Sequence, residues 1–266
     1  MPTVRPPAVA GMFYPADPQQ LAGEVRGFLA AASSQALYPK ALIVPHAGYV
    51  YSGAIAASAY ATLKATAPQI RRVVLLGPTH RVAVRGLALP DAEAFDTPLG
   101  RVMLDSAAMR AIARLPQVSI NSEAHALEHS LEVQLPFLQS VLDDFTLVPL
   151  AVGMATAQEV AEVLEAVWGG AETLIVISSD LSHYLPYAAA QIADAKTAED
   201  IIRLRQLADH EQACGSIPIS GMIVAAHTHG LVPHLLDLRN SGDTAGSHHK
   251  VVGYAAFAFT RADHTD

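Results

Sequence analysis

The stretch Ala41-Leu42-Ile43-Val44-Pro45-His46-Ala47-Gly48-Tyr49 is an apolar run that stops at a proline and hands the chain to a histidine. Two further stretches repeat the arrangement: Val73 to His80 (VVLLGPTH) and Thr173 to Tyr184 (TLIVISSDLSHY). Short, unbroken apolar runs of this kind are what strands buried on both faces require, as in a parallel sheet covered by helices. In open α/β sheets, sites form in the loops at the carboxyl ends of such strands. His46, His80, Asp180 and His183 all fall in those loops, so the three stretches together predict a metal or catalytic pocket.

Working outward, helix and strand signals alternate along the chain without a repeat or a low-complexity linker. Asp17-Pro18 is an N-cap and first-turn pair, followed by one apolar face of Leu21, Val25, Phe28 and Leu29. A small-residue helix is expected from Ser52, with Ser52 as its cap. GLALP and GRVML predict further strands, antiparallel in part, and EHSLEVQLPFLQSVL predicts a helix with a kink or early break at Pro136. Strands near 146–152 and 173–178 flank a helix over AQEVAEVLEAVWG, and VVGYAAFAFT is a last buried strand. The expected fold is α/β: a three-layer α/β/α sandwich around a mostly parallel, mixed central sheet, in one domain over 1–266 with its ordered core at about 5–260.

Composition narrows the function classes. Of 266 residues, 51% are hydrophobic and 16% charged, enough for a large core and too few scattered charges for a disordered chain. The 17 Lys plus Arg lie singly among 25 Asp plus Glu, a net charge of −8. No nucleic-acid partner is expected, since phosphate binding needs a concentrated basic patch. A single cysteine excludes an intrachain disulfide, and prolines in MPTVRPPAVAGMFYP stand where a signal peptide needs an apolar helix; a cytoplasmic location is expected. No apolar run reaches the roughly 20 residues of a membrane span.

One loop histidine is ordinarily a solvated or backbone-bonded side chain. His46 and His80 gain weight because both follow a turn at a strand end and neutral imidazole is the commonest metal ligand. Asp180 and His183, three positions apart, share one side of a turn; Asp180 is read as a cap or a site carboxylate, and His183 as a proton shuttle with an ordinary pKa near neutrality. Cys214, ahead of an apolar helix containing Pro218, is either a small buried hydrophobe or a thiolate drawn down by the helix amino terminus.

GMFYP, PHAGYVYSG, GPTH, EHSLEVQLPFLQ, SSDLSHY and CGSIPI, in that order across about residues 5 to 260, resemble the Memo family, called AmmeMemoRadiSam system protein B in bacteria and archaea. That family is similar in fold to the class III extradiol, LigB-type dioxygenases. The resemblance implies a metal pocket with His46, His80 and Cys214 as ligands, His183 and Asp180 as catalytic residues, and His129 and Tyr49 as residues supporting the ligands. CGSIPI departs from the CGRHPI form of animal members, which leaves Ser216 and Ile217 without a role. Sulfur in place of a carboxylate softens the site: Fe(II) is favoured by the resemblance, with Cu or Zn as alternatives. It also implies an Amme-type protein and a radical SAM enzyme as partners, beside an unknown substrate. Three readings stay open: a metal-dependent, non-haem iron-type oxidoreductase; a Cys- or Zn-dependent hydrolase; and a binding or adaptor protein whose cleft is lined by Tyr49, Tyr51 and Tyr184.

Overall fold

A computed structural model describes residues 3–33 and 36–262. Its strands are β1 (Val4–Arg5), β2 (Pro39–Val44), β3 (Arg72–Pro78), β4 (Leu87–Leu89), β5 (Ala94–Thr97), β6 (Gly100–Met103), β7 (Val118–Ile120), β8 (Thr146–Val152), β9 (Thr173–Ser178), β10 (His183–Leu185), β11 (Leu231–Asn240) and β12 (Val251–Arg261). Helices α1 (Pro18–Ala31), α2 (Tyr49–Tyr60), α3 (Ser106–Ile112), α4 (Glu123–Ala126), α5 (His129–Glu132), α6 (Leu135–Val141), α7 (Ala157–Ala166), α8 (Tyr187–Ile202) and α9 (Ser216–His229) connect them. The main sheet has nine strands in the order β10-β12-β2-β9-β3-β8-β4-β7, with β11 pairing β12. Its centre, β2-β9-β3-β8, is parallel, while β12 runs antiparallel to β2 and β4 antiparallel to β8.

Alternate residues of the central strands point to opposite faces, which divides the interior into two cores. Leu42, Val44, Val73, Leu75 and Val176 meet Leu21, Val25, Ile55 and Phe137 of α1, α2 and α6. Ala41, Ile43, Val74, Leu76 and Ile177 meet Val160, Leu164, Ile201 and Met222 of α7, α8 and α9. Helices on both faces of one mixed sheet make the expected three-layer α/β/α sandwich.

The strand order sets up the site. From β2 the chain passes to β3, two places away, then to β8, and returns to lay β9 in the gap between β2 and β3. Val44 pairs with Ser178, and Leu76 with Ile177, so the carboxyl ends of β2, β9 and β3 finish at one edge side by side. His46, Asp180 and His80 follow those ends within two residues.

Asp17 caps α1, its carboxylate accepting from the Gln20 amide at 2.8 Å. The EHSLEVQLPFLQSVL segment breaks at Val133-Gln134 into α5 and α6, leaving Pro136 in the first turn of α6, where its missing N–H costs nothing. Helix α2 begins at Tyr49 and not at Ser52: Gly48 occupies the N-cap, and the Ser52 hydroxyl, one turn inside, donates to the Ala47 carbonyl at 2.9 Å. The GRVML strand pairs with β5 in a separate three-stranded sheet with β1. Among the described residues no helix is long and apolar enough to cross a membrane.

Candidate metal centre

His46, immediately after Pro45, is 1% exposed, and its backbone amide donates to the Asp180 carboxylate at 2.8 Å. His80 follows β3; its Nδ1 lies 2.8 Å from Glu128 Oε1, and its backbone amide donates to Oε2 of the same carboxylate at 2.6 Å. His129 opens α5, which packs over β3, with Nδ1 3.4 Å from Glu128 Oε1 and its ring 4.7 Å from that of Phe13. Ring nitrogens of His46, His80 and His129 lie within 4.8 Å of one another. Nitrogens held at about 2.1 Å from one ion sit roughly 3 to 3.5 Å apart, so a small inward rotation of the rings brings this set to bonding distance. Three imidazoles, two of them against one carboxylate, are a donor set that fits a divalent transition cation.

Cys214 stands beside this set. Its Sγ is 3.3 Å from His46 Nε2, accepts from the Asp180 amide at 3.3 Å, and its own amide donates to the Asp180 carbonyl at 3.2 Å. His183 is half-buried on β10 and lines, with His80 and Cys214, a cavity of about 880 Å³ whose other walls include Leu185, Lys196 and His210. Tyr184, between His183 and Leu185, holds φ 59°, a left-handed conformation rarely taken by a residue with a Cβ, where β10 bulges against β12. Such strain persists only where the surroundings over-determine it, and here both flanking residues face the cavity.

Burial dominates the protonation states. It lowers His46 well below the usual imidazole value, helped by the neighbouring His129 and His80. It brings His129 to about 4, against the opposing pull of Glu128, and lowers His183 as well. All three therefore present neutral rings at physiological pH, the form that binds metals and accepts protons. Burial raises Asp180 to about 7. Glu128, although buried, is brought down to about 2 by its hydrogen bonds with His80 and Ser130. Burial first, and the Asp180 carboxylate second, push the Cys214 thiol up to about 12. In the metal-free protein, desolvation of the sulfur outweighs the pull of the α9 amino terminus toward thiolate.

His129, expected behind the ligands, stands level with His46 and His80 in the converging set, and Cys214, expected as the third ligand, places its Sγ 3.3 Å from His46 Nε2 at the edge of that set. Tyr49, expected to support the ligands or line a cleft, is 2% exposed, with its ring 5.1 Å from Phe137 and its hydroxyl donating to the Val133 carbonyl at 2.8 Å. Starting α2 three residues early turned it into the core. Tyr51 and Tyr184 are on the surface. The hold of Glu128 on His80 spans 48 residues and carries no local signal. Two acids in EHSLE beside a histidine motif were the only hint.

A family model described as Memo-like protein matches residues 5–258. A MEMO1 family protein of Aquifex aeolicus is 35% identical over 271 residues, covering 96% of this chain and 99% of the relative. One from Methanopyrus kandleri is 38% identical over 281 residues, covering 97% and 99%. Among solved structures, that of an uncharacterized Escherichia coli K12 protein, JW3007, aligns with a TM-score of 0.52 at 16% identity, over 80% of this chain and 98% of that one. At that identity the likeness speaks for the fold.

Proposed function

We propose that this chain, which belongs to the Memo family, is a metal-dependent enzyme of the non-haem iron, oxidoreductase type acting on a small substrate in the cavity beside His80, His183 and Cys214. The observation that carries the reading is the convergence of the His46, His80 and His129 ring nitrogens at the carboxyl edge of the sheet. Those three residues would hold the cation, with the Cys214 sulfur as a further donor next to His46. When bound, an Fe(II)-type cation supplies the electron chemistry; Cu and Zn suit the same nitrogen and sulfur donors.

The remaining groups handle substrate and protons. His183, neutral because it is half-buried, accepts a proton at a ring nitrogen facing the cavity. Asp180, raised to about 7 by burial, accepts the His46 backbone amide and exchanges its proton near neutral pH. Leu185 and Ala193 give the cavity an apolar wall, while Lys196, Asp209 and His210 supply polar groups at its side.

Anaerobic reconstitution with Fe(II), desalting and elemental analysis test the reading. Wild type should retain about one iron per chain, and the double variant His46→Ala, His80→Ala should retain none while keeping the wild-type circular dichroism spectrum. Equal retention in both would overturn it.

A further inference from the structure

Behind the imidazoles lies a buried set of polar side chains whose hydrogen bonds admit only one arrangement of protons. Gln134 Nε2 sits 2.9 Å from the Pro45 carbonyl, which can only accept, so the amide nitrogen must face that way. The same nitrogen donates to Ser178 Oγ at 2.8 Å, and Gln134 Oε1 accepts from the Tyr60 hydroxyl at 2.9 Å. Ser178 has a single hydroxyl proton, and it is committed to the Ser130 carbonyl at 2.6 Å, since two oxygens that close without a proton between them would repel. The contact of His46 Nδ1 with Ser178 Oγ at 3.0 Å therefore has one solution: the ring nitrogen donates. The proton is on Nδ1, and the Nε2 lone pair points toward the site, where the Cys214 Sγ–H group, 3.3 Å away, can donate to it.

The same logic reaches His80 from the other side. Both oxygens of the Glu128 carboxyl already serve as acceptors, Oε2 from the His80 amide at 2.6 Å and Oε1 from the Ser130 amide at 2.9 Å, so His80 Nδ1, 2.8 Å from Oε1, is the donor in that contact. Ser130 joins the two halves. Its amide bonds Glu128, its carbonyl accepts from Ser178, and its hydroxyl donates to the Pro78 carbonyl at 2.9 Å, two residues before His80. Ser130, Gln134 and Ser178 are fully buried. Space for this junction depends on Gly77, where a Cβ would lie 2.8 Å from Ser130 Oγ.

We propose that Ser178, Gln134 and Ser130, together with Glu128, are positioning residues that lock His46 and His80 in the Nδ1–H tautomer, so that both Nε2 lone pairs are set toward the site before any cation arrives. The inference rests on the metal reading only for its consequence, a higher cation affinity; the tautomers themselves are a property of the protein alone. Fixing a ligand ring through its distal nitrogen typically alters metal affinity 10- to 100-fold.

Long-range 1H–15N correlation spectra of the metal-free protein, followed by competition titration with Zn(II), test it. In wild type both rings should show the Nδ1–H pattern. In Ser178→Ala the His46 pattern should become a mixture while His80 stays as it was, and Zn(II) affinity should fall about tenfold. Ser178→Thr, which keeps the hydroxyl, should restore both. An Nε2–H pattern for either ring in wild type, or a His46 pattern unchanged in Ser178→Ala, would overturn the proposal, and the wild-type spectrum decides even if the alanine variant does not fold. Fixed tautomers in a wild type that binds no Zn(II) would confirm the proton order and overturn the metal reading instead.

Discussion

Glu128 and Glu132 are four residues apart in one motif, both about fully buried, and they do opposite jobs. Glu132 is saturated by the chain's first segment: Arg5 Nη1 at 2.6 Å, the Ala8 and Val9 amides at 2.7 and 3.0 Å, and the Tyr14 hydroxyl at 2.5 Å. Every lone-pair direction of that carboxylate serves to tie residues 5–14 onto α5. Glu128 instead spends its acceptors on His80 and on Ser130, with His129 Nδ1 3.4 Å away. Burial thus does not distinguish a structural acid from a functional one; the partners do. A carboxylate whose partners include guanidinium and backbone amides is a tie, whereas one whose partners are imidazoles aimed at a cavity tunes a site.

The largest way to strain this contrast is Glu132→Ala. It leaves Arg5 buried without its counter-charge, and unfolding in urea should show a loss of about 3–5 kcal/mol; a loss under about 1 kcal/mol would mean the tie is not what secures the first segment. Next comes pH. His46, His125 and His129 all have folded pKa values below the ordinary 6.5, the last two at about 4. In the window from 6.5 down to 4 the unfolded chain binds more protons, so the stability they contribute above 6.5 is lost as pH falls. Glu128, at about 2 in the fold, extends that loss below its ordinary 4.5, while Asp180, raised to about 7, works the other way and gains stability as pH falls from 7. With His183 also lowered and Asp194 also raised, the four imidazoles outweigh the two carboxyls, and stability should fall from pH 6.5 to 4, readable as a falling urea midpoint; a flat midpoint over that window would contradict the buried neutral rings.

Cys214 offers a kinetic version of the same contrast. Its thiol, pushed up to about 12 by burial and Asp180, should react with iodoacetamide at pH 8 at least tenfold more slowly than in the urea-unfolded chain, and equal rates would contradict the desolvated sulfur. The smallest effect sets the baseline. Lys196 and Asp200 form an ion pair at 3.0 Å, but the lysine is 69% exposed, and Lys196→Ala should change stability by less than about 0.5 kcal/mol.

What the sequence made legible were features written in consecutive residues. Unbroken apolar runs ending in Pro45, Pro78 and Ser179 announced buried parallel strands and located the loops; Asp17 announced a helix start, and Pro136 a break. The parts that stayed hidden depend on pairs remote in the chain. Arg5 meets Glu132 across 127 positions and His80 meets Glu128 across 48, and nothing at either member marks the other. A small-residue stretch has no strong apolar face to fix where its helix begins, so Ser52 looks like the cap in the sequence while Gly48 takes it in the structure. For Cys214 the helix start was visible, but the depth at which the sulfur sits was not.

The late return of β9 into the slot between β2 and β3 has a consequence for how the molecule is made. Until residues 173–178 are in place, the strands bearing His46 and His80 lack the neighbour that holds them two strand spacings, roughly 9.6 Å, apart. Ser178, which orients His46, arrives with that same strand, and Cys214 later still. On a ribosome-bound chain that has emerged only through β8, the strand that sets the spacing of His46 and His80 is still missing, so the proposed cation site would be completed only when biosynthesis delivers the last piece of the sheet's centre.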